Sequence, residues 1–123
     1  MTSYKDLDIY KLAFQLCLKV HGLSLKLPKY ELYEQGSQVR RSSKSVKDQI
    51  AEGYGRRQYK ADFIKFLIYA QASNDECLNQ IETIRVLYPD QQEWSSLIDD
   101  YELLGKKINK FIQYVQSNWK SPK

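Results

Sequence analysis

At 123 residues, 42% of them hydrophobic and 28% charged, the chain is one domain with a core large enough to stand without staples. The net charge of +4 is concentrated: Gly36 to Lys65 holds eight Lys/Arg against Asp48, Glu52 and Asp62, a local +5. Cys17 and Cys77 stand singly in apolar stripes, which argues against a disulfide scaffold or zinc site, and no run nears the roughly 18 apolar residues of a membrane span.

Helix one is expected over about residues 6–26. Leu7, Tyr10, Phe14, Cys17 and His21 form one stripe at helical spacing, and Ile9, Ala13, Leu16, Val20 and Leu23 form a second beside it. A lone bundle helix needs one apolar face, so the pair of stripes points to a second contact surface and to self-association. Pro28 punctuates the first connection. Helix two follows over about 30–54 and stops at Gly53-Tyr54-Gly55. Gly36, Val39, Ser43, Val46, Ile50 and Gly53 make its packed face.

Helix three is expected over about 59–87, on Phe63, Phe66, Ala70, Cys77, Ile81 and Ile84, and ends at Tyr88-Pro89-Asp90. Helix four takes about 91–118, on Trp94, Leu97, Ile98, Tyr101, Leu104, Ile108, Phe111 and Val115, and residues 120–123 read as a frayed tail. Long helices, short connections and no strand signature predict an all-α, antiparallel up-down-up-down four-helix bundle.

The basic loop at Arg56-Arg57 folds helices two and three into a hairpin and sets Arg41 near Ser73 and Gln38 near Glu76. Gln38, Arg41, Ser45, Glu52, Ser73 and Glu76 form the expected polar network, with Arg41 reaching Glu76 as a partly buried pair that fixes register. Arg40, Lys44 and Lys47 recur at three and four along one side of helix two. Arg56, Arg57 and Lys60 continue the patch, flanked by Tyr54 and Tyr59. Lysines and arginines gathered on one surface suit phosphate backbones, and the tyrosines offer stacking platforms, so these six residues are the candidate RNA- or DNA-binding set. No base-reading motif accompanies them.

The order Leu7-Asp8-Ile9-Tyr10, Leu27-Pro28, Gln38-Val39-Arg40-Arg41, Ser45-Val46, Ile50-Ala51-Glu52-Gly53, Phe66-Leu67, Ala70, Ser73 and Glu76 resembles the bacterial "four helix bundle protein" family, encoded in intervening sequences of 23S ribosomal RNA genes. The family's motif usually reads Arg-Arg-Ala, then Ser-Ile-Pro-x-Asn-Ile-Ala-Glu-Gly. Here Ser42 replaces the Ala, Val46 the Ile, Lys47 the Pro and Gln49 the Asn, and Ala72 stands where Gly is common. The resemblance implies a bundle assembled into a ring-like homopentamer. It also implies a distant relation to the accessory variability proteins of diversity-generating retroelements, which bind nucleic acid beside a reverse transcriptase.

Two functions follow as expectations. The first is non-specific RNA or DNA binding through the basic face of helix two. The second is a structural or adaptor ring that recruits a protein partner, such as a nucleic-acid enzyme, with helix one and Tyr10, Tyr30 and Tyr33 serving the contact. Catalysis is not expected. His21 is the single histidine, too few for a di-iron bundle site, and no Cys/His pair, nucleophile elbow or phosphate loop is present. As a phosphotransfer group His21 is outweighed by a structural place near the helix end. No metal, cofactor or catalytic residue is therefore assigned, and the protein is expected in the cytoplasm.

Overall fold

The computed structural model describes residues 3–120. Ser3 caps a 3-10 turn, Tyr4–Asp6: its hydroxyl accepts from Lys5 N at 3.1 Å while the Asp6 carboxylate accepts from Ser3 N at 3.2 Å. That turn holds the chain aside until α1 starts, at Asp8, and α1 runs to Ser24. Three further helices follow, α2 Gln35–Gly55, α3 Lys60–Leu87 and α4 Glu93–Asn118, with no strand among the described residues. α1 packs on α2, α2 on α3, α3 on α4, and α4 closes loosely back on α1. This is an up-down-up-down bundle.

α2 begins at Gln35 rather than near Tyr30. The intervening residues make a second 3-10 turn, Lys29–Glu31, across the upper end of the bundle. A distant partner draws them there: the Tyr88 hydroxyl donates to the buried Glu31 carboxylate at 2.7 Å and lies 2.9 Å from the Tyr30 hydroxyl. These bonds, to Tyr30 first and then to Glu31, raise the Tyr88 pKa. Gln91 Nε2 also donates to Lys26 O, so the two upper connections are tied together. Gly36 sits beneath this turn, and a Cβ there would stand 2.9 Å from Glu31 O.

The core runs the length of the bundle through Val20, Val46, Ile50, Phe63, Leu67, Ile81, Trp94, Leu104 and Ile108. α2 and α3 approach closely at Gly53, where a Cβ would lie 3.1 Å from Phe66 Cβ. The lower end is closed by aromatic rings. Trp119 meets Phe63 edge-to-face at 5.1 Å and donates its indole N–H to Arg57 O at 3.1 Å. Of the residues read as a tail, 121–123 lie outside the described residues.

The polar seam between α2 and α3 differs from expectation. Ser45 Oγ meets Ser73 Oγ at 2.7 Å, and Ser42 Oγ donates to Gln80 Oε1 at 2.6 Å. With this register the level of Arg41 on α3 lies about one turn past Glu76. Both residues are exposed, and no ion pair joins them. The expected Arg41–Glu76 pair does not form. The neighbour Ser42, about 100° around the helix from Arg41, takes the inward place and turns Arg41 to solvent. Gln38 and Glu52 are exposed too, and Glu52 accepts from Arg56 instead of joining the seam.

Candidate functional site

In the basic segment of α2 and its loop, the fold gives most of the cations local partners. Arg40 is on the inner flank of α2, between the buried Val39 and Ser43 and one turn after Gly36. Its Nη1 donates to Ser24 Oγ at 2.9 Å and its Nη2 to Leu32 O at 2.6 Å. One guanidinium thus ties the end of α1, the first connection and α2. Lys47, half-buried, is bound to Asp48 at 2.7 Å and stands 5.9 Å from the Phe14 ring. The Asp48 hydrogen bond is the main cause of its raised pKa.

Around the loop the same holds. Arg56 pairs with Glu52 at 2.9 Å and Asp62 at 3.7 Å, and covers Phe66 at 4.7 Å. Arg57 donates to Tyr54 O and lies over the Tyr54 ring at 4.2 Å, which removes Tyr54 as an open stacking platform. Lys60 donates to Gln116 O near the end of α4, where a cation also meets the negative end of the helix dipole. Lys44 alone of the six expected nucleic-acid contacts is exposed with no bond to another group. Arg41, read as structural, is the second such cation on α2. The outward face of α2 therefore carries Arg41 and Lys44 together with Asp48 and Glu52. It is electrically mixed, not basic.

The signal for the role of Arg40 was present in the spacing. Gly36, Arg40 and Ser43 fall on one helix flank, so an Arg there borders the packed face. Nothing in the sequence shows Leu32 O arriving as its acceptor.

α1 divides differently from its two-stripe pattern. Ile9, Ala13, Leu16, Cys17 and Val20 are buried, whereas Phe14, Leu18 and Leu25 are 41, 60 and 55% exposed and His21 is exposed. An apolar outer face remains uncovered on the single chain. Beside it the loose α1–α4 seam opens a groove of about 430 Å³, lined by Leu18, Leu23 and Leu97 with Lys19, Glu93 and Asp100 at its rims. Lys26 and Ser96 line it as well. Among the described residues no three His, Cys, Asp or Glu side chains are grouped to hold a metal, and no helix is long and apolar enough to cross a membrane. Burial pushes the Cys77 thiol up to about 12, which makes it a core group and not a reactive one.

Residues 5–110 match the family described as 23S rRNA-intervening sequence protein. The chain belongs to that family. No curated protein matches it. Within this chain, Val39, Val46, Ile50 and Gly53 of the motif form the buried face of α2, and Arg40 anchors the upper connection.

Proposed function

We propose that this member of the family is a non-enzymatic, cytoplasmic assembly module that works as a homo-oligomeric ring, with five copies the number implied by the family resemblance, and recruits a protein partner. The observation that carries the reading is the outer face of α1. Phe14, Leu18 and Leu25 recur at four and seven along it, and each is more than two-fifths exposed. Three large apolar side chains in one line on a soluble bundle are the residue types that interfaces cover. Light scattering on the eluting protein tests it. The expected mass is a multiple near five of the 14.5 kDa chain, and Leu18→Glu should reduce it without loss of helicity. A monomer at all concentrations would refute the reading.

Non-specific RNA or DNA binding is the second reading, supported by Arg41 and Lys44, which remain exposed and unpaired. Anisotropy titrations with labelled single strands and duplexes at roughly 50 and 200 mM salt test it. Binding that falls steeply with salt and disappears with Arg41→Glu and Lys44→Glu is its required result.

A further inference from the structure

The seam between α1 and α4 is the loosest helix pair of the bundle, and the groove in it has an apolar floor between charged rims. Buried Leu97 and half-buried Leu23 make the floor, with Leu18 along one edge. Gly22 and Ser96 stand midway on the two sides, and neither carries a bulky side chain. A Cβ at Gly22 would meet nothing within 4 Å. The rims carry opposite charges, Lys19 and Lys26 on α1 and just past its end, Glu93 and Asp100 on α4, each pair seven residues apart. Gln91 Nε2 donates to Lys26 O, so Lys26 is near the level of Glu93, and two turns down Lys19 is near that of Asp100. Among the described residues no ion pair crosses from one rim to the other. Both rims are left to engage a third body.

These spacings select the shape of that body. Seven residues are two helical turns, about 10.5 Å, so a helix laid along the seam repeats its own flanking side chains in step with both rims. An extended strand does not, because residues three apart span about 10 Å but point to opposite faces. The floor calls for an apolar line on the helix. The rims call for acids on the flank over α1 and Lys or Arg on the flank over α4. A nucleic acid is disfavoured, since Glu93 and Asp100 repel its phosphates. A wholly apolar ligand would dehydrate charges without pairing them.

We propose that the α1–α4 groove binds an amphipathic helix of a protein partner, with acids along one flank, bases along the other and an apolar line between them. The proposal rests on the partner-recruitment reading and names the surface and the class of partner. A helix of this kind sets its acids over Lys19 and Lys26 in one chain direction only, so the partner's own flank order decides which way it runs. Opposed potentials fix orientation and reject helices whose two flanks carry the same sign. The lower part of the same seam is a poorer site: Phe111 and Tyr114 wall the recess there, and its Asp6 already accepts from Ser3 N.

Labelled helical peptides of about 18 residues test the site by fluorescence anisotropy. All carry leucines at i, i+4, i+7 and i+11. One has Glu on one flank and Lys on the other, a second Glu on both flanks, a third Lys on both. Wild type should bind the mixed peptide roughly tenfold or more tighter than either uniform one. Lys19→Glu with Lys26→Glu should shift the preference to the peptide with Lys on both flanks, and Glu93→Lys with Asp100→Lys to the one with Glu on both. Gly22→Leu, which has room in the fold, should abolish binding of the mixed peptide by filling the groove. Circular dichroism checks the fold of each variant and light scattering its mass. Equal affinities for the three peptides, or binding that Gly22→Leu leaves unchanged, would overturn the proposal. So would a Gly22→Leu variant of reduced mass, since the occupant would then be a second copy. Selective binding of the mixed peptide by a protein that stays monomeric would uphold this site and refute the ring; an oligomer that binds none of the peptides would overturn the site alone.

Discussion

Arg40→Ala separates a structural cation from a phosphate contact. The wild-type guanidinium makes two charged hydrogen bonds, to Ser24 Oγ at 2.9 Å and Leu32 O at 2.6 Å. Bonds to charged groups contribute about 1.5–3 kcal/mol each where burial is full. Arg40 is half-buried, and water can replace part of what is lost, so each bond falls to or below the bottom of that range and the pair together should be worth about 2–3 kcal/mol. With a urea m-value of about 2 kcal/mol/M, the midpoint should fall by roughly 1–1.5 M at unchanged slope. Arg40→Lys should recover only part of the loss, since an ammonium is a point charge and not a fork that spans two acceptors. Lys44→Ala, on the same helix with no bond to lose, serves as the control and should shift the midpoint by less than about 0.3 M. A loss below about 0.5 kcal/mol in Arg40→Ala would refute the assignment of Arg40 as the tie between α1, the first connection and α2.

Gly36→Ala places a methyl 2.9 Å from Glu31 O. It should lower stability by about 1–3 kcal/mol in thermal melts, although alanine is the better helix former by about 1 kcal/mol. Trp119→Ala removes the edge contact with Phe63 and the bond to Arg57 O. It should cost about 2 kcal/mol, less than a fully buried tryptophan, and hydrogen exchange should quicken first at the end of α4. Cys77 should resist alkylation in the native state and react in denaturant. Its thiol rises from the ordinary 9.0 to about 12 on folding. Neutral burial therefore stabilises fully below the unfolded value, and that contribution is lost as pH climbs from about 9 towards 12. Denaturation midpoints for wild type and Cys77→Ala should converge over that window.

The helices were legible because their signals are local. Val39, Val46, Ile50 and Gly53 recur at helical spacing and are buried on α2, and Pro28 and Tyr88-Pro89 fall in connections. What the sequence could not show depends on partners far along the chain. Residues 30–34 carry no helix breaker, yet Glu31 is held across the bundle end by Tyr88, and α2 starts only after that turn. The hairpin register depends on which small polar residue faces inward, and Ser42 and Ser45 do so in place of Arg41. The local partners of the basic residues were equally hidden. Arg40, Lys47, Arg56, Arg57 and Lys60 form a run by sequence, but each is committed to a carbonyl, hydroxyl or carboxylate nearby. Counting charge along a helix does not reveal which charges the fold itself consumes.

Both described ends of the chain leave the bundle at the same place. Tyr4 lines one recess with Ala51 and Gly55 at the foot of α2, and Trp119 is held to Arg57 in the loop just beyond. In any assembly with its copies the same way up, Tyr4 and Trp119 of every copy would lie towards one side, giving that assembly two unlike sides. A domain or tag joined to either end would be held at the foot of the bundle, away from the closure that Tyr88 and Glu31 make at the upper end.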